Sequence, residues 1–136
     1  NAIYGMTGGQ MAPTTMPGQV ATTCQLGRDV EQAGHPIRVA ELLATLRTPG
    51  FIARGSVHTP LLSVNVKELL RRAFTYQKND TCFSLVEVLS TCPTNWGIPP
   101  VESTQWLEKN MLPYYPLGVF KSPEGEDRAP APTPGG

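Results

Sequence analysis

The spacing pattern of the chain changes at Ile37, and this change limits the folds open to it. Up to residue 36, glycines and prolines recur and no helical or strand period persists, which predicts a long irregular loop. A loop of this length inside a compact domain is unusual, and is usually functional or disordered. From residue 37 to about residue 120, helical and strand spacings alternate along the chain. Such alternation predicts parallel strands joined by right-handed crossovers, and therefore an α/β layer.

Apolar spacing predicts the individual elements. A first helix begins near Val39, carries Leu42, Leu43 and Leu46 on its apolar face, and ends before Pro49. The later segments are, in chain order, a strand at 51–55, a helix capped by Thr59 or Ser63, a strand at 82–89, a helix at 101–112 and an extended segment at 114–120. The predicted buried stripe of the second helix consists of Leu62, Val66, Leu69, Leu70 and Ala73. The strand at 82–89 is apolar enough to be covered on both faces.

The composition bears on which classes of partner the protein binds and on the compartment in which it is found. The 11 basic and 11 acidic residues cancel, so nothing in the charge predicts nucleic-acid or anionic-membrane binding. No apolar run approaches the roughly 20 residues that span a bilayer. The three cysteines are odd in number and form no CxxC pair, which favours reduced thiols and a cytoplasmic protein. Residues 121–136, rich in proline, glycine and charge, are predicted to be a disordered tail.

The first ten residues suit a site for a metal and a diphosphate. Asn1 offers a side-chain oxygen, and the backbone carbonyl of Ile3 points the same way if the segment is extended. Oxygen ligands of this kind suit Mg²⁺, which shares them with phosphates. Gly5, Gly8 and Gly9 permit close backbone approach, and unpaired N–H groups there would form an anion-binding nest. A glycine-rich turn without a ligand is the alternative interpretation.

The literal sequence resembles the β subunit of 2-oxoacid:ferredoxin oxidoreductases, most closely the 2-oxoglutarate and branched-chain 2-oxoacid branch. The string NAIYGMTGGQ at residues 1–10 and its continuation at 11–19 carry most of this resemblance. Further matching strings lie at residues 27–29, 53–60, 90–96 and 114–120. The resemblance covers residues 1 to about 121. It implies that residues 1–120 are the C-terminal part of a thiamine-diphosphate-binding fold, and that the chain is a fragment of the subunit.

In that family the β subunit holds thiamine diphosphate through Mg²⁺ with a GDGD…NN motif. Asn1 matches the second Asn of the closing pair, so the resemblance implies that it is a metal ligand, with the Ile3 backbone carbonyl beside it. The implied cofactor-binding residues are Ile3, Tyr4, Gly5, Met6, Thr7, Gly8, Gly9 and Gln10. The GDGD half, with its metal-binding Asp, is expected before Asn1. We therefore expect the chain by itself to be inactive.

Cys92 stands in a Cys-Pro turn directly after the second predicted strand. A cysteine there suits one ligand of a metal cluster, since such a ligand is a thiolate aimed away from the backbone. The alternative is a small apolar residue that closes the strand. The resemblance implies that Cys92 is the last cysteine ligand of a [4Fe–4S] cluster. Cys82 is predicted to pack in the core, and Cys24 receives no role.

The resemblance also implies a reaction and its partners. A 2-oxoacid, with 2-oxoglutarate the preferred candidate, loses CO₂ after attack by the thiamine carbanion. The electrons pass through the cluster to ferredoxin, and the acyl group passes to coenzyme A. An α subunit supplies the glutamate that activates the cofactor. Two alternatives remain open, which are a thiamine-dependent decarboxylase or synthase without ferredoxin and a truncated, non-catalytic partner-binding module.

Several polar residues have two interpretations each. His58, at a strand-to-helix turn, is either a proton carrier or substrate contact or a partner for local backbone groups. Arg28 and Arg54 hold an anionic ligand or form structural salt bridges. The basic residues of the second helix form a solvated face that could also dock acidic ferredoxin; they are Lys67, Arg71, Arg72 and Lys78.

Overall fold

A three-stranded sheet organises the computed structural model, which describes residues 1–48 and 50–125. Of the tail predicted at 121–136, residues 126–136 lie outside the described residues, whereas Lys121 ends a strand, so the predicted start of the tail was wrong. The central strand β3 (Gly50–Ser56) pairs in parallel with β4 (Phe83–Leu89) and antiparallel with β5 (Gly118–Lys121). The parallel β3–β4 pair is joined by helix α3 (Pro60–Lys78), which confirms the predicted crossover. The protein is α/β, but the sheet is mixed and not mostly parallel.

The antiparallel strand β5 follows from where the preceding helices pack. Helix α4 (Pro93–Trp96) leads to helix α5 (Pro100–Trp106), which continues as a π-helical turn at Leu107–Met111. This confirms the helix predicted at 101–112. Its apolar residues pack on the N-terminal loop, in the cluster Ala2, Met16, Leu89, Leu107, Met111 and Tyr115. Because α5 packs on the N-terminal loop, it does not act as a crossover helix on the face of the sheet. The chain therefore enters β5 in the direction opposite to that of β3.

The structure confirms the predicted N-terminus of helix α3 and only part of its predicted buried stripe. The Thr59 hydroxyl accepts the Leu62 N–H at 3.3 Å, so Thr59 and not Ser63 is the N-cap. Val66 and Ala73 are buried against the sheet, as predicted. Leu70 is 38% exposed, so the predicted stripe was too wide. The helix packs on the three-stranded sheet with one face, and Leu70 is exposed because it lies beside that face.

Helix α2 (Val39–Ala44) is shorter than predicted, and its predicted apolar face is wrong. Leu42 and Leu46 are 59% and 52% exposed, whereas Ala40 is fully buried. The helix is turned so that the carboxylate of Glu41 reaches the side chain of Arg54 on β3. A partly buried ion pair therefore fixes the orientation of this short helix.

Strand β4 is at the edge of the described sheet, although its sequence predicted cover on both faces. Leu89 is its buried residue, while Phe83 is 57% exposed and the residues between them are half-buried. The unpaired backbone groups along the edge of an apolar strand can pair with a further strand or with a partner.

The N-terminal 36 residues are mainly irregular, as predicted. They contain the two-residue strands β1 (Ile3–Tyr4) and β2 (Gln10–Met11), a 3₁₀ turn (Gly5–Thr7) and one unpredicted helical turn, α1 (Val30–Ala33). Among the described residues, none of the helices has the length and apolarity needed to cross a membrane.

Candidate functional site

The candidate site forms where the N-terminal loop packs on the turn that follows β4. A Cβ atom placed on Gly5 would lie 2.9 Å from Cys92 Sγ and 3.1 Å from Asn1 Nδ2. The structure therefore brings the predicted metal ligand and the predicted cluster ligand against one glycine. A larger residue at position 5 would separate the loop from the turn.

Asn95 holds this junction together, and sequence reasoning gave it no role. Its Nδ2 donates to the carbonyl of Gly5 at 2.9 Å and to Cys92 Sγ at 3.3 Å. A Cβ on Gly9 would lie 2.9 Å from Asn95 Oδ1, so the loop lies on this side chain at a second point. The available sequence signal was spacing, because a residue three positions after a helix cap lies on the same side as the cap.

Asn1 is placed by contacts on both sides. Trp96 Nε1 donates to its backbone carbonyl at 3.1 Å, and its own Oδ1 accepts the Ile3 N–H at 3.4 Å. The latter hydrogen bond is long, so the oxygen keeps acceptor capacity. Ala2, between them, has a φ of +54° and is not extended as the sequence argument assumed. A non-glycine residue in this region is strained, and such strain is frequently found at functional sites.

The glycines of the loop use their N–H groups internally. Gly8 has a φ of +114° and donates to the Gly5 carbonyl at 3.4 Å, and Gly9, with a φ of +78°, donates to the Tyr4 carbonyl at 2.9 Å. These two N–H groups are thus not the unpaired donors of an open nest. The tip of the loop remains accessible, since Tyr4 is 52% exposed and Met6 is fully exposed.

Among the described residues, no group of three or more histidine, cysteine or acidic side chains is placed to hold a metal ion. The junction supplies one thiol, one amide oxygen and backbone carbonyls. These donors fit part of a ligand set for a cluster or for Mg²⁺, and the rest of either set would have to come from elsewhere.

His58 lies at the carboxyl end of the parallel strands, near the residues that lead to Cys92. Its Nδ1 is 2.6 Å from Ser56 Oγ, and that hydroxyl donates to the Leu89 carbonyl at 3.2 Å. With the single hydroxyl hydrogen of Ser56 directed at the Leu89 carbonyl, Nδ1 of His58 would be the donor of the His58–Ser56 hydrogen bond. The carboxyl edge of parallel strands is where ligands bind in α/β folds.

The two buried arginines are occupied by the protein itself. Arg54 is fully buried and pairs with Glu41 at 2.5 Å and with Glu87 at 2.7 Å, which agrees with the salt-bridge interpretation. Arg28 binds carbonyls instead of acids; they belong to Ala12, Pro13, Thr15, Ala33, Gly34 and His35. Neither guanidinium is therefore free to hold an anionic substrate in this structure.

The other two cysteines lie apart from the junction. Cys82 packs against the core formed by Phe51, Ala53, Ala73 and Val119, as predicted. Cys24 is half-buried, and its carbonyl closes a turn with the Ala21 N–H at 3.1 Å.

Comparison with known proteins gives relatives that match most of this chain. The ketoisovalerate oxidoreductase subunit VorA of Methanothermobacter thermautotrophicus is 40% identical over 126 residues, which are 93% of this chain and 26% of that protein. The 2-oxoglutarate synthase subunit KorB of Archaeoglobus fulgidus is 34% identical over 110 residues, 81% of this chain and 37% of that protein. The 2-oxoacid:ferredoxin oxidoreductase 2, subunit beta, of Aeropyrum pernix is 34% identical over 116 residues, 85% of this chain and 32% of that protein.

These relatives are all subunits of enzymes named for 2-oxoacids, so the α/β sheet and its junction belong to a subunit of an enzyme complex. The chain belongs to the family of 2-oxoacid:ferredoxin oxidoreductase subunits. It spans about a quarter to two fifths of the length of the relatives it matches. No protein-family model matches the chain, and no solved structure does.

Proposed function

We propose that this chain forms part of the thiamine-diphosphate-binding subunit of a 2-oxoacid:ferredoxin oxidoreductase, built on a thiamine-diphosphate-binding fold. The reaction converts a 2-oxoacid and coenzyme A into acyl-coenzyme A and CO₂. The electrons released leave through a [4Fe–4S] cluster to ferredoxin. A partner α subunit completes the active site.

The contact between the N-terminal loop and the Cys92 turn carries this proposal. Residues 90 positions apart, Gly5 and Asn95, are joined by a 2.9 Å hydrogen bond, and Cys92 Sγ packs on the same glycine. An oxidoreductase that passes electrons from a cofactor to a cluster needs the two groups close together. A thiamine-dependent enzyme without ferredoxin has no need for a thiol at this position, which makes that alternative weaker.

The roles proposed for the loop follow from its sequence resemblance to the family and from the acceptor capacity that Asn1 Oδ1 keeps beside its long hydrogen bond. Asn1 Oδ1 and the Ile3 carbonyl would bind Mg²⁺, and residues 4–10 would lie along the diphosphate. Thiamine diphosphate, when bound, would supply the nucleophilic carbon that decarboxylation of a 2-oxoacid requires. The chain's own contribution is to fix the position of the metal, through the hydrogen bond from Trp96 to Asn1.

Cys92 would supply one thiolate to the cluster, and Asn95 would orient it. The N–H···S hydrogen bond of 3.3 Å from Asn95 Nδ2 aims Sγ, and hydrogen bonds to cluster sulfurs are known to tune reduction potentials. Cys92 is half-buried, so its sulfur is neither sealed in the core nor free in solvent.

The relatives leave two substrate classes to choose between. The similarity is 40% to subunits named for ketoisovalerate and 31–34% to subunits named for 2-oxoglutarate. The resemblance of the sequence favours 2-oxoglutarate, whereas the higher identity supports a branched-chain 2-oxoacid. We propose the branched-chain substrate, with 2-oxoglutarate as the competing candidate.

The experiment uses the whole subunit that carries this chain, assembled with its partner subunit. We expect coenzyme-A-dependent reduction of ferredoxin or viologen, faster with ketoisovalerate than with 2-oxoglutarate or pyruvate. Cys92→Ser should lower the iron and acid-labile sulfide content and remove the cluster's electron paramagnetic resonance signal, because one of its thiolates is lost. Cys24→Ser is the matched control and should keep full iron content. Equal iron in both variants would refute the ligand role of Cys92.

The metal site has its own test, which does not depend on turnover. Asn1→Ala should weaken Mg²⁺-dependent binding of thiamine diphosphate by at least about tenfold, measured by titration calorimetry of the assembled protein. Asn79→Ala, an exposed amide at the end of α3, is the control. Unchanged cofactor affinity in Asn1→Ala would exclude it as a magnesium ligand.

A further inference from the structure

One side chain, that of Asn95, binds both halves of the junction. Asn95 lies three residues after Cys92 in the short helix α4, so its amide is on the same side of the helix as the thiol. Its Nδ2 donates one hydrogen to Cys92 Sγ at 3.3 Å and the other to the Gly5 carbonyl at 2.9 Å. The two hydrogens of one amide therefore serve the cysteine and the loop at the same time.

The surroundings of Asn95 leave its amide one orientation. The nitrogen faces a carbonyl oxygen and a sulfur. Both can accept a hydrogen bond, so exchanging the amide nitrogen and oxygen would place an acceptor against two acceptors. On the other side of the amide, a Cβ on Gly9 would lie 2.9 Å from Oδ1 and 3.1 Å from the Cβ of Asn95. The loop therefore holds the amide between Gly5 and Gly9.

The same helical turn also holds the loop at its first residue. Trp96 Nε1 donates to the Asn1 carbonyl at 3.1 Å, so adjacent residues of α4 bind the loop at positions 1 and 5. A Cβ on Gly5 would lie 2.9 Å from Cys92 Sγ, so the loop also packs on the sulfur itself. A displacement of this loop therefore alters the hydrogen bonding at the sulfur directly.

We infer that Asn95 is a positioning residue that couples the filling of the loop to the reduction of the group that Cys92 holds. The inference rests on the proposed function, in which residues 1–10 hold magnesium and the diphosphate and Cys92 holds a cluster. A filled loop fixes the Gly5 carbonyl, and this carbonyl keeps the second N–H of the Asn95 amide on the sulfur. With the loop empty, the carbonyl is less restrained and the amide turns away from the sulfur more often.

The direction of the effect follows from charge. Reduction adds an electron, and a hydrogen-bond donor stabilises sulfur more strongly when the sulfur carries more negative charge. Hydrogen bonds to the sulfurs are among the factors that set the potentials of iron–sulfur clusters. The Asn95 amide therefore raises the reduction potential of the group at Cys92, and it does so most when the loop is filled. By reciprocity, reduction strengthens binding in the loop by the same factor.

The test measures this coupling as a change of potential, in the whole subunit assembled with its partner. The cluster is titrated with dithionite and followed by electron paramagnetic resonance, with and without magnesium thiamine diphosphate. Asn95→Ala removes both hydrogen bonds of the amide. The control Asn110→Ala removes an exposed hydrogen bond, from Asn110 Nδ2 to the Trp106 carbonyl at 2.9 Å. The charge of the cofactor acts on the cluster in every variant, so a change in Asn95→Ala alone isolates the amide.

The quantity compared is the potential with the cofactor minus the potential without it. We expect this difference to be more positive in wild type and Asn110→Ala than in Asn95→Ala, by at least about 40 mV. This figure is a coupling of about fivefold, at about 59 mV per tenfold for one electron. Equal differences in the three proteins overturn the inference.

A second substitution covers the case in which Asn95→Ala does not fold. Asn95→Asp has nearly the same shape, but an ionised carboxylate accepts hydrogen bonds and donates none. This variant should therefore lose the 40 mV difference as well. A full difference retained in Asn95→Asp also overturns the inference, because the coupling would then not depend on the amide donors.

A further readout separates the inference from the proposed function. If the assembled complex contains no iron, the proposed function fails and Cys92 is free to react with iodoacetamide. We then expect magnesium thiamine diphosphate to slow alkylation of Cys92 by at least about threefold, because the filled loop limits access to the sulfur. The slowing should persist in Asn110→Ala and disappear in Asn95→Ala, measured by mass spectrometry of the Cys92 peptide. An unchanged alkylation rate refutes the inference together with the proposed function, whereas a cluster whose potential ignores Asn95 refutes the inference alone.

Discussion

Arg54 and Arg28 show how two similar residues acquire different roles from their surroundings. Arg54 sits in the central strand, where Glu41 and Glu87 approach it from α2 and β4, so its charge is balanced by acids. Burial opposes the charged form of Arg54, but the hydrogen bonds and charges of Glu41 and Glu87 together raise its pKa. Arg28 sits in the loop, where it donates to backbone carbonyls. One arginine joins elements of the sheet region, and the other closes an irregular loop upon itself.

Replacing Arg54 should be far more damaging than replacing an exposed arginine. Arg54→Met removes the counter-charge of two partly buried carboxylates, and we expect the free energy of unfolding to fall by about 3–5 kcal/mol. The matched change Arg71→Met breaks the exposed Arg71–Glu68 pair, whose side chains are 70% and 57% exposed, and should cost less than about 1 kcal/mol. Urea unfolding followed by circular dichroism measures both values. Similar losses in the two variants would contradict a structural role for the Arg54 network.

At the scale of elements, the contact between β3 and α3 depends on a missing side chain. A Cβ on Gly55 would lie 2.5 Å from Val66 Cγ2 and 3.3 Å from Leu69 Cδ1. The glycine therefore lets the helix approach the strand more closely than any other residue would. The same helix begins at the Thr59 cap. The cap therefore fixes where the helix starts along the strand, whereas Gly55 sets the distance between the helix and the strand.

Adding one methyl group at Gly55 should lift α3 from the sheet. We expect Gly55→Ala to lower the free energy of unfolding by about 1–3 kcal/mol, because an overpacked contact forces backbone shifts. Gly50→Ala in the same strand is the control, since its Cβ would meet nothing nearer than 3.6 Å. The double variant Gly55→Ala with Val66→Ala should recover part of the loss. Chemical denaturation of the three variants provides the comparison, and a neutral Gly55→Ala would show that the helix is not held this closely.

At the scale of the whole molecule, side-chain hydrogen bonds to backbone carbonyls attach the N-terminal loop to the α/β unit. Tyr115 donates to the Thr14 carbonyl at 2.8 Å, and Tyr114 donates to the Pro36 carbonyl at 3.2 Å. Tyr115 is almost fully buried in the cluster that also holds Ala2 and Met16. Burial, followed by the neighbouring Tyr114, raises the pKa of Tyr115 above its ordinary value.

This raised pKa predicts that the free energy of unfolding falls at alkaline pH. Above pH of about 10 the unfolded chain releases the Tyr115 proton and the folded protein retains it, so stability is lost as pH rises, by up to about 1.4 kcal/mol per pH unit. Tyr115→Phe should cost about 1 kcal/mol at pH 7 through the lost hydrogen bond, and its disadvantage should shrink above pH 10. Tyr4→Phe, at a half-exposed position, is the control. Urea titrations at pH 8, 10 and 11 give the slopes; equal slopes in wild type and Tyr115→Phe would contradict the assignment.

The sequence predicted those features that depend on local spacing. The strand at 51–55 and the irregular first 36 residues follow from turn chemistry and apolar period, and the structure contains them. The sequence offered Thr59 or Ser63 as the N-cap of α3, and the structure selects Thr59. The prediction from sequence was wrong where burial depends on the neighbouring elements. Examples are the exposed Leu42 of α2 and the half-exposed strand β4. Burial is a property of the packed pair and not of one segment, so periodicity alone assigned these faces incorrectly.

For the candidate site, the residue types came from the sequence and their meeting came from the fold. The literal string at 1–10 and the Cys-Pro turn at Cys92 were visible in the chain, and relatives confirm the family that they indicate. The hydrogen bonds by which Asn95 joins the two became visible only in three dimensions. Hydrogen bonds across 90 positions depend on how the loop folds back over the sheet, and no local preference specifies that path. The sequence by itself therefore determined which chemical groups this protein carries, and the tertiary structure decided which of them act together.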